Sequence, residues 1–231
     1  MLKAVITGSN TGIGLACTKL FLEKGWDVAG ISRNSKPVEC AGRKSTSFSF
    51  DLTNIEGIPA LAKKIGDADV LVNNAGIMKT LPIDAYPIKD REELMAINLY
   101  APAALAREFS VGMAIHGKGR IVSIASIAAH IGHPDIWYGA SKAGIVNLTK
   151  SLALLLGPKG IQCNCIAPGP VDTPLLSKIP KDRVEKLKQG SVEKRLCSPD
   201  EVAQTVWWLA AEAPNYINGI CVDINDCAYL R

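Results

Sequence analysis

The sequence predicts one α/β domain with a doubly wound, parallel sheet of seven strands flanked by helices on both faces. Short apolar, β-branched runs alternate with longer stretches of helical period, which is the pattern of this fold class. The runs are apolar almost throughout, as in Val70-Leu71-Val72, which is typical of strands covered on both faces. Because the 231 residues show no repeat, low-complexity tract or linker, we predict a single domain spanning residues 1–231.

The predicted strands and helices alternate strictly. The strands cover residues 3–7, 28–32, 47–51, 69–73, 120–124, 162–167 and 219–223, and the helices cover residues 12–23, 55–65, 91–116 and 138–156. A further helix begins after Ser198, an N-cap serine that is followed by proline and, three residues after the cap, by Glu201. We expect Trp207 and Trp208 of this helix to lie in the core. The order of elements is that of a Rossmann-type fold.

The composition excludes several classes of protein. The net charge of +4 is too small to indicate nucleic acid binding, and acidic residues interrupt the densest basic segment, 178–195. No apolar run is long enough to span a bilayer, and Met1 leads almost directly into a strand without a leader segment. Seven cysteines without a framework spacing predict reduced thiols. We therefore predict a cytoplasmic protein with neither a nucleic acid nor a membrane partner.

A glycine-rich segment connects the first strand to the first helix. It reads Thr-Gly-Ser-Asn-Thr-Gly-Ile-Gly over residues 7–14. Glycines let the backbone turn sharply and approach a pyrophosphate, which then binds the free N–H groups of the helix N-terminus. A tight turn without a ligand is the alternative, but the position in the fold favours a nucleotide site. The candidate residues are Gly8, Asn10, Thr11, Gly12, Ile13 and Gly14.

The end of the second strand indicates which dinucleotide binds. An NAD site requires a carboxylate about 20 residues after the glycines, to bind the ribose 2′-hydroxyl. The chain has Ser32-Arg33-Asn34 there, and the nearest acids, Asp27 and Glu39, fall before and after the required place. Serine and arginine suit a 2′-phosphate, whereas an exposed loop arginine without a partner is the alternative. The prediction is NADP(H), with NAD(H) less favoured.

Tyr138 and Lys142 are candidates for acid/base chemistry. They lie four residues apart on a predicted helix, so they share one face. A unit charge about 4 Å away at an effective dielectric near 20 favours the phenolate by roughly 4 kcal/mol, about three pKa units, with desolvation opposing it. A half-buried tyrosine beside a solvated lysine is the alternative. Ser126 supports the acid/base interpretation because it follows a strand at the same sheet edge. Asn98 supports it as well, because it is a polar amide among apolar residues of a predicted helix.

These segments together resemble the short-chain dehydrogenase/reductase family, in its ordinary branch of roughly 250 residues that includes 3-oxoacyl-acyl-carrier-protein reductases. The matching segments are T-G-x-x-x-G-x-G after the first strand, Asn-Asn-Ala-Gly at 73–76, Tyr-x-x-x-Lys at 138–142 and the Pro-Gly loop at 168–174. The resemblance covers most of the chain, from Thr7 to about Thr173. It implies a catalytic tetrad of Asn98, Ser126, Tyr138 and Lys142.

The resemblance also implies an activity and further cofactor contacts. The activity is hydride transfer between NADP(H) and a carbonyl or secondary alcohol, with Tyr138 as acid/base; a catalytically inactive, nucleotide-sensing protein is the alternative. Asp51 is expected to contact adenine unless it caps the next helix. Lys142 is expected to bind the nicotinamide ribose. The remaining implied contacts are Leu52, Asn74, Ala75, Gly76, Tyr138, Pro168, Gly169, Val171 and Thr173.

Three further expectations concern the surroundings of the site. His130 and His133 lie in the loop where substrate should approach, but no third ligand can be named for a metal, so we predict none. Residues 172–195 should form a substrate lid with apolar contacts from Leu175, Leu176 and Ile179. The resemblance implies a homodimer or homotetramer formed through helices 91–116 and 138–156.

Overall fold

The computed structural model describes residues 1–176 and 179–231 and contains a seven-stranded parallel sheet. Its strands are β1 (Lys3–Thr7), β2 (Asp27–Ser32), β5 (Thr46–Ser49), β6 (Val70–Asn73), β7 (Gly119–Ile124), β8 (Ile161–Pro168) and β9 (Cys221–Ile224), while β3 (Glu39–Cys40) and β4 (Arg43–Lys44) form a separate hairpin. The strand order is β5-β2-β1-β6-β7-β8-β9. The predicted doubly wound, Rossmann-type fold is confirmed.

Helices cover both faces of this sheet. They are α1 (Gly12–Glu23), α2 (Ile58–Ile65), α3 (Ile88–Met95), α4 (Ala101–Ile115), α5 (Ile136–Leu156), α6 (Lys181–Gln189) and α7 (Pro199–Trp207). Side chains alternate between the faces of a strand, so Val5 packs in one core with α2 and α4, and Ile6 packs in the other with α1 and α7. Because all strands of the sheet run parallel, their C-terminal ends lie at one edge.

Several boundaries differ from the sequence prediction. The predicted helix 91–116 begins earlier, at Ile88, and a π-helical turn at Ala96–Tyr100 separates α3 from α4. The third strand ends at Ser49 instead of residue 51, so Asp51 lies in the following loop. The predicted helix 55–65 starts as a 3-10 turn, Ile55–Gly57, whose N-cap is Asn54.

The start of α7 has the capping arrangement that its sequence predicts. The N–H of Glu201 donates to Ser198 Oγ at 3.2 Å, and the N–H of Ser198 donates to the Glu201 carboxylate at 2.7 Å. Trp207 packs edge-on against Phe21, as expected of a core residue. Trp208 is 36% exposed, so the expectation that both tryptophans lie in the core is wrong for it.

The described residues also bear on two predictions from composition. Within residues 1–176 and 179–231, none of the helices combines the length and the apolar character needed to cross a bilayer. All seven cysteines are free thiols, and Cys17, Cys163 and Cys165 are buried. The predicted reduced state of the cysteines agrees with this arrangement.

Candidate active site

A cleft of about 700 Å³ opens at the carboxyl edge of the sheet, where ligands of doubly wound folds bind. Its walls come from the segments that follow β1, β2, β6, β7 and β8, and from α5 and α6. The predicted site residues that line it are Gly8, Thr11, Gly12, Ile13, Arg33, Asn74, Ala75, Gly76, Ser126, Tyr138, Lys142, Pro168, Gly169, Val171 and Thr173.

Other predicted site residues are not among those that line the cleft. They are Asn10, Gly14, Ser32, Asn34, Asp51, Leu52 and Asn98. Asn10 has a clear local role, because its Oδ1 accepts a hydrogen bond from Ser32 Oγ at 2.6 Å and its Nδ2 donates to Lys36 O at 2.7 Å. The glycine loop is thereby fixed to the end of β2.

Asp51 and Leu52 have different surroundings although they are adjacent. Asp51 Oδ1 accepts from the N–H and the hydroxyl of Thr53, both at 2.9 Å, and the next helical turn is capped by Asn54 instead. The Thr53 N–H is the main cause that lowers the pKa of Asp51, and the charge of Arg33 adds to it. Leu52 packs in the core, so its side chain faces away from the cleft.

The glycine loop has the conformation that only glycine adopts without strain. Gly8 and Gly12 have φ values of +67° and +51°, which L-residues with side chains rarely adopt. A Cβ on Gly14 would overlap the carbonyl oxygen of Gly8. Thr11, the N-cap of α1, makes no side-chain cap hydrogen bond, and the first turn carries no acidic residue. The positive end of the helix is therefore left available to an anion.

The Asn-Asn-Ala-Gly segment joins the ends of β1 and β6. The hydroxyl of Thr7 accepts from the N–H groups of Asn74 and Ala75 at 3.0 and 2.9 Å, and Asn74 Nδ2 donates to Thr7 O at 2.8 Å. Asn73 is buried within the sheet, where its Nδ2 contacts Ser123 Oγ at 3.4 Å. The segment is thus structural at its first residue and lines the cleft from its second.

The side chains of Asn98 and Lys142 both approach the backbone at Gly76. Asn98, in the π-helical turn, accepts from Ile77 N at 2.8 Å and donates to Ile77 O at 2.9 Å and to Ser141 Oγ at 3.1 Å. Lys142 Nζ donates to Ile124 O at 2.7 Å. A Cβ added to Gly76 would lie 3.5 Å from both Asn98 Oδ1 and Lys142 Nζ. Glycine at this position therefore keeps a space open between the two polar groups.

The ionisation of Tyr138 differs from the sequence expectation. Lys142 Nζ lies 5.7 Å from the centre of the Tyr138 ring, so the two groups are neighbours as their spacing predicts. Burial nevertheless raises the pKa of Tyr138, while a hydrogen bond with Ser126 lowers it. Burial also lowers the pKa of Lys142 to about 8. The predicted net lowering of the Tyr138 pKa is wrong for this arrangement, because burial, which disfavours the charged phenolate, is the largest influence on it.

Asp135 is an important residue of the site that the sequence analysis missed. It is the N-cap of α5, with no exposed surface, and its carboxylate accepts from Tyr138 N at 3.1 Å. The N–H groups of Lys79 and Thr80 donate to it at 2.8 and 2.9 Å, and the hydroxyl of Tyr86 approaches at 3.2 Å. Burial acts to raise the pKa of Asp135, but these hydrogen bonds outweigh it and lower the pKa below its usual value. The carboxylate ties the start of α5, and with it Tyr138, to the loop after β6.

Asp135→Asn is expected to lower the free energy of unfolding by about 2 kcal/mol at pH 7, because an amide replaces a carboxylate in several charge-assisted hydrogen bonds. Since the pKa of Asp135 is lower in the folded chain, its contribution is present above about pH 4 and is lost as pH falls through the folded pKa. Urea unfolding at pH 7 and at pH 3 measures both effects. Asp84→Asn, at an exposed position, is the control; equal losses in the two variants would contradict this role.

Arg33 and several apolar side chains line the cleft. The Arg33 side chain is 63% exposed, and its Nη1 is 3.9 Å from Glu93 Oε1, a loose ion pair. The ring of His133, which also lines the cleft, lies 5.1 Å from that of Tyr138. The lining also includes Leu175, Leu176, Ile179, Arg183 and Leu187. Ser177 and Lys178, within the predicted lid, lie outside the described residues.

Comparisons with known proteins agree with this geometry. Residues 8–226 match the family described as Enoyl-(Acyl carrier protein) reductase. A 3-oxoacyl-(acyl-carrier-protein) reductase of Buchnera aphidicola is 31% identical over 98% of this chain and 97% of its own. A solved structure from Beutenbergia cavernae, with bound NADP at low occupancy, is 29% identical and has a TM-score of 0.90, covering 97% of this chain and 95% of its own.

A third relative was solved with the other nicotinamide cofactor. The structure of 4-hydroxyisoleucine dehydrogenase complexed with NADH has a TM-score of 0.91 and 27% identity, covering 98% of both chains. The similar proteins are thus oxidoreductases that act on hydroxyl or carbonyl groups, and both cofactors occur among them. From the match over residues 8–226 and the shared fold, the chain belongs to the short-chain dehydrogenase/reductase family, and it is an oxidoreductase.

Proposed function

We propose that this enzyme uses NADP(H) to interconvert a carbonyl compound and a secondary alcohol, with Tyr138 as the proton donor and acceptor. The observation that carries the proposal is the meeting of Ser126, Tyr138 and Lys142 in one cleft with the glycine loop. The loop fits a dinucleotide because Gly12 and Gly76 leave room beside Thr173 and Lys142 that a Cβ would fill. A nucleotide-sensing protein without turnover would not need the three polar side chains together.

Three residues of the chain have separate roles in the proposed reaction. The chemistry that the nicotinamide supplies when bound is hydride transfer. Tyr138 donates its phenolic proton to the oxygen on which negative charge develops, and its raised pKa keeps that proton in place at neutral pH. Ser126 donates a hydrogen bond to the same oxygen and stabilises the charge as it forms. Lys142 remains cationic below about pH 8 and would hold the nicotinamide ribose.

Consumption of NADPH with a panel of ketones tests the proposal. The panel pairs neutral ketones with carboxylated ones, since the lid end of the cleft combines apolar side chains with the guanidinium of Arg183. We expect substrate-dependent loss of NADPH absorbance with stoichiometric formation of alcohol. Binding of NADPH without turnover of any ketone, or of the matching alcohols with NADP, would support the nucleotide-sensing alternative.

Arg33 is proposed to bind the 2′-phosphate, which gives the preference for NADP(H) over NAD(H). Arg33→Ala is expected to weaken NADPH binding by about 10- to 100-fold, because one charge-assisted contact is lost, and to leave NADH binding nearly unchanged. Titration of both cofactors by protein fluorescence measures this difference. Arg43→Ala is the control, since Arg43 pairs with Asp27 at 2.9 Å outside the cleft. Equal effects on the two cofactors would identify Arg33 as an ordinary loop arginine.

We further propose a homodimer or homotetramer formed through residues 91–116 and 138–156. Large apolar side chains are exposed on these segments, with Ile115 78%, Leu154 79% and Leu155 69% exposed, more than expected of a helix surface that stays in water. Leu154→Glu is expected to reduce the mass measured by light scattering to that of a smaller species. Leu230→Glu, at a position 76% exposed on another segment, should leave the mass unchanged; a monomeric parent protein would refute the proposal.

The remaining proposals concern the lid and the compartment. We propose that residues 172–195 of the single domain close over substrate, supported by the apolar side chains that they place on the cleft. Binding of NADPH and a substrate analogue should then protect this segment from limited proteolysis. We also propose a cytoplasmic location, which the seven free thiols support because oxidising compartments favour disulfides. Fractionation of cells that express the chain tests this location.

A further inference from the structure

His130, Cys221 and Asp223 form a cluster of potential metal ligands outside the cleft. One ligand atom from each of the three residues lies within 4.8 Å of the others, and His130 Nε2 is 3.8 Å from Cys221 Sγ. None of the three lines the cleft described above. The sequence alone does not show a third ligand for the histidines, because Cys221 and Asp223 follow His130 by more than 90 residues.

The fold brings the members of this cluster together from one strand and one loop. Cys221 and Asp223 are two residues apart on β9, so their side chains project from the same face of the strand. β9 pairs in parallel with β8, in register at Cys165 and Cys221. His130 follows the 3-10 turn at Ile127–Ala129, and its ring stacks on Tyr229 at 6.0 Å with an angle of 6°. The ligands therefore come from two segments, β9 and the loop after the 3-10 turn at Ile127–Ala129, whose backbones are held by other contacts.

The donor set and its spacing suit a borderline transition metal ion. Imidazole nitrogen, thiolate sulfur and carboxylate oxygen are the ligands of Zn²⁺ in proteins. Bond lengths of about 2.3 Å to sulfur and 2.1 Å to nitrogen, at the tetrahedral angle, place those two atoms about 3.6 Å apart. The observed 3.8 Å between Sγ and Nε2 is close to this value. Small side-chain rotations would bring the Asp223 carboxylate to the same centre.

Arg231 now neutralises the acidic member of the cluster. Its Nε donates to Asp223 Oδ2 at 2.6 Å, and its Nη2 donates to Cys221 O at 2.8 Å. A metal ion bound to Asp223 would have to displace this guanidinium, so Arg231 acts as a competing cation. Removal of its charge should strengthen metal binding, which is opposite to the effect of removing a ligand.

We propose that His130, Cys221 and Asp223 bind one divalent transition metal ion of the zinc type, with the fourth position open to water. The ion would fix the loop after Ser126 to β9. The site is separate from the proposed cofactor cleft and does not depend on the proposed reaction.

Cobalt titration of the reduced, chelator-treated protein tests this site, because a thiolate bound to Co²⁺ gives a charge-transfer absorption in the near ultraviolet. We expect one Co²⁺ per chain with this absorption, and its displacement by Zn²⁺. Cys221→Ser should abolish the absorption, and His130→Gln and Asp223→Asn should each weaken binding at least tenfold. Arg231→Gln should bind Co²⁺ more tightly than the parent. Circular dichroism shows whether each variant is folded.

Matched controls are available on neighbouring residues. Cys227→Ser, at an exposed thiol outside the cluster, and His133→Gln should retain the absorption and the affinity. The proposal is overturned if stoichiometric Co²⁺ gives no thiolate absorption, or if the absorption survives Cys221→Ser and is lost in Cys227→Ser. Equal or weaker binding by folded Arg231→Gln would exclude Asp223 as a ligand.

Discussion

Tyr138→Phe is expected to reduce the turnover of carbonyl substrate by a factor of about 10² to 10⁴, the usual contribution of a general acid, while the dissociation constant of NADPH changes little. The ring remains to pack beside His133, 5.1 Å away, but the proton donor is lost. Steady-state kinetics with a substrate from the ketone panel measure the turnover. Fluorescence titration of NADPH measures the binding.

The matched control for this substitution is Tyr216→Phe, because Tyr216 is fully exposed. It should leave both turnover and binding unchanged. Turnover by Tyr138→Phe within about threefold of the parent enzyme would rule out Tyr138 as the proton donor. Loss of NADPH binding together with turnover would instead indicate that the phenol holds the cofactor.

The upward shift of the Tyr138 pKa adds an expected pH dependence to this prediction. Burial raises that pKa, so the phenol keeps its proton at neutral pH and can donate it during reduction. Alcohol oxidation requires the same group to accept a proton, and therefore needs the phenolate. We expect the oxidation rate to rise with pH well into the alkaline range, where reduction falls, and we expect Tyr138→Phe to lose this dependence.

Gly14→Ala is expected to lower the free energy of unfolding by about 3 kcal/mol, because the added methyl group would overlap the carbonyl oxygen of Gly8 and displace the glycine loop. In a domain of this size that loss lowers the melting temperature by roughly 6–12 °C. NADPH binding should weaken as well, since the loop and the N-terminus of α1 form the proposed phosphate site. Thermal unfolding with and without NADPH separates the two effects.

Gly132→Ala is the control for Gly14→Ala. A Cβ at Gly132 meets nothing within 4 Å, so the same methyl group should leave the melting temperature almost unchanged. The structure indicates that the close packing of α1 on the end of β1 contributes to stability. Melting of both variants at the temperature of the parent would contradict this.

The elements with a clear local signal were predicted closely. β1 and α1 have the predicted bounds, Lys3–Thr7 and Gly12–Glu23, because an apolar run followed by glycines and an amphipathic period leaves few alternatives. Asp135 carries a comparable signal, an N-cap aspartate directly before the helix of Tyr138, and a search for helix starts would have found it. Its bonds to Lys79 and Thr80 could not have been read from the sequence, since they join segments distant in the chain.

The pKa shifts in the site were harder to predict than which residues lie together there. The spacing of Tyr138 and Lys142 correctly indicates two neighbouring groups, since they share a helical face. The sign of the Tyr138 pKa shift depends on burial, which is set by the segments that close around the ring and not by the spacing. The π-helical turn around Asn98 could not be predicted either, because a single inserted residue hardly alters the apolar period of a long helix.

That inserted residue has a consequence for changes in chain length. In a regular helix each residue turns the chain by roughly 100°, so deletion of one residue between Ala96 and Tyr100 would rotate α3 relative to α4 by about that angle. Leu94, buried in the native protein, would then swing toward solvent. The irregularity thus sets the angular offset between two helices that look continuous in sequence.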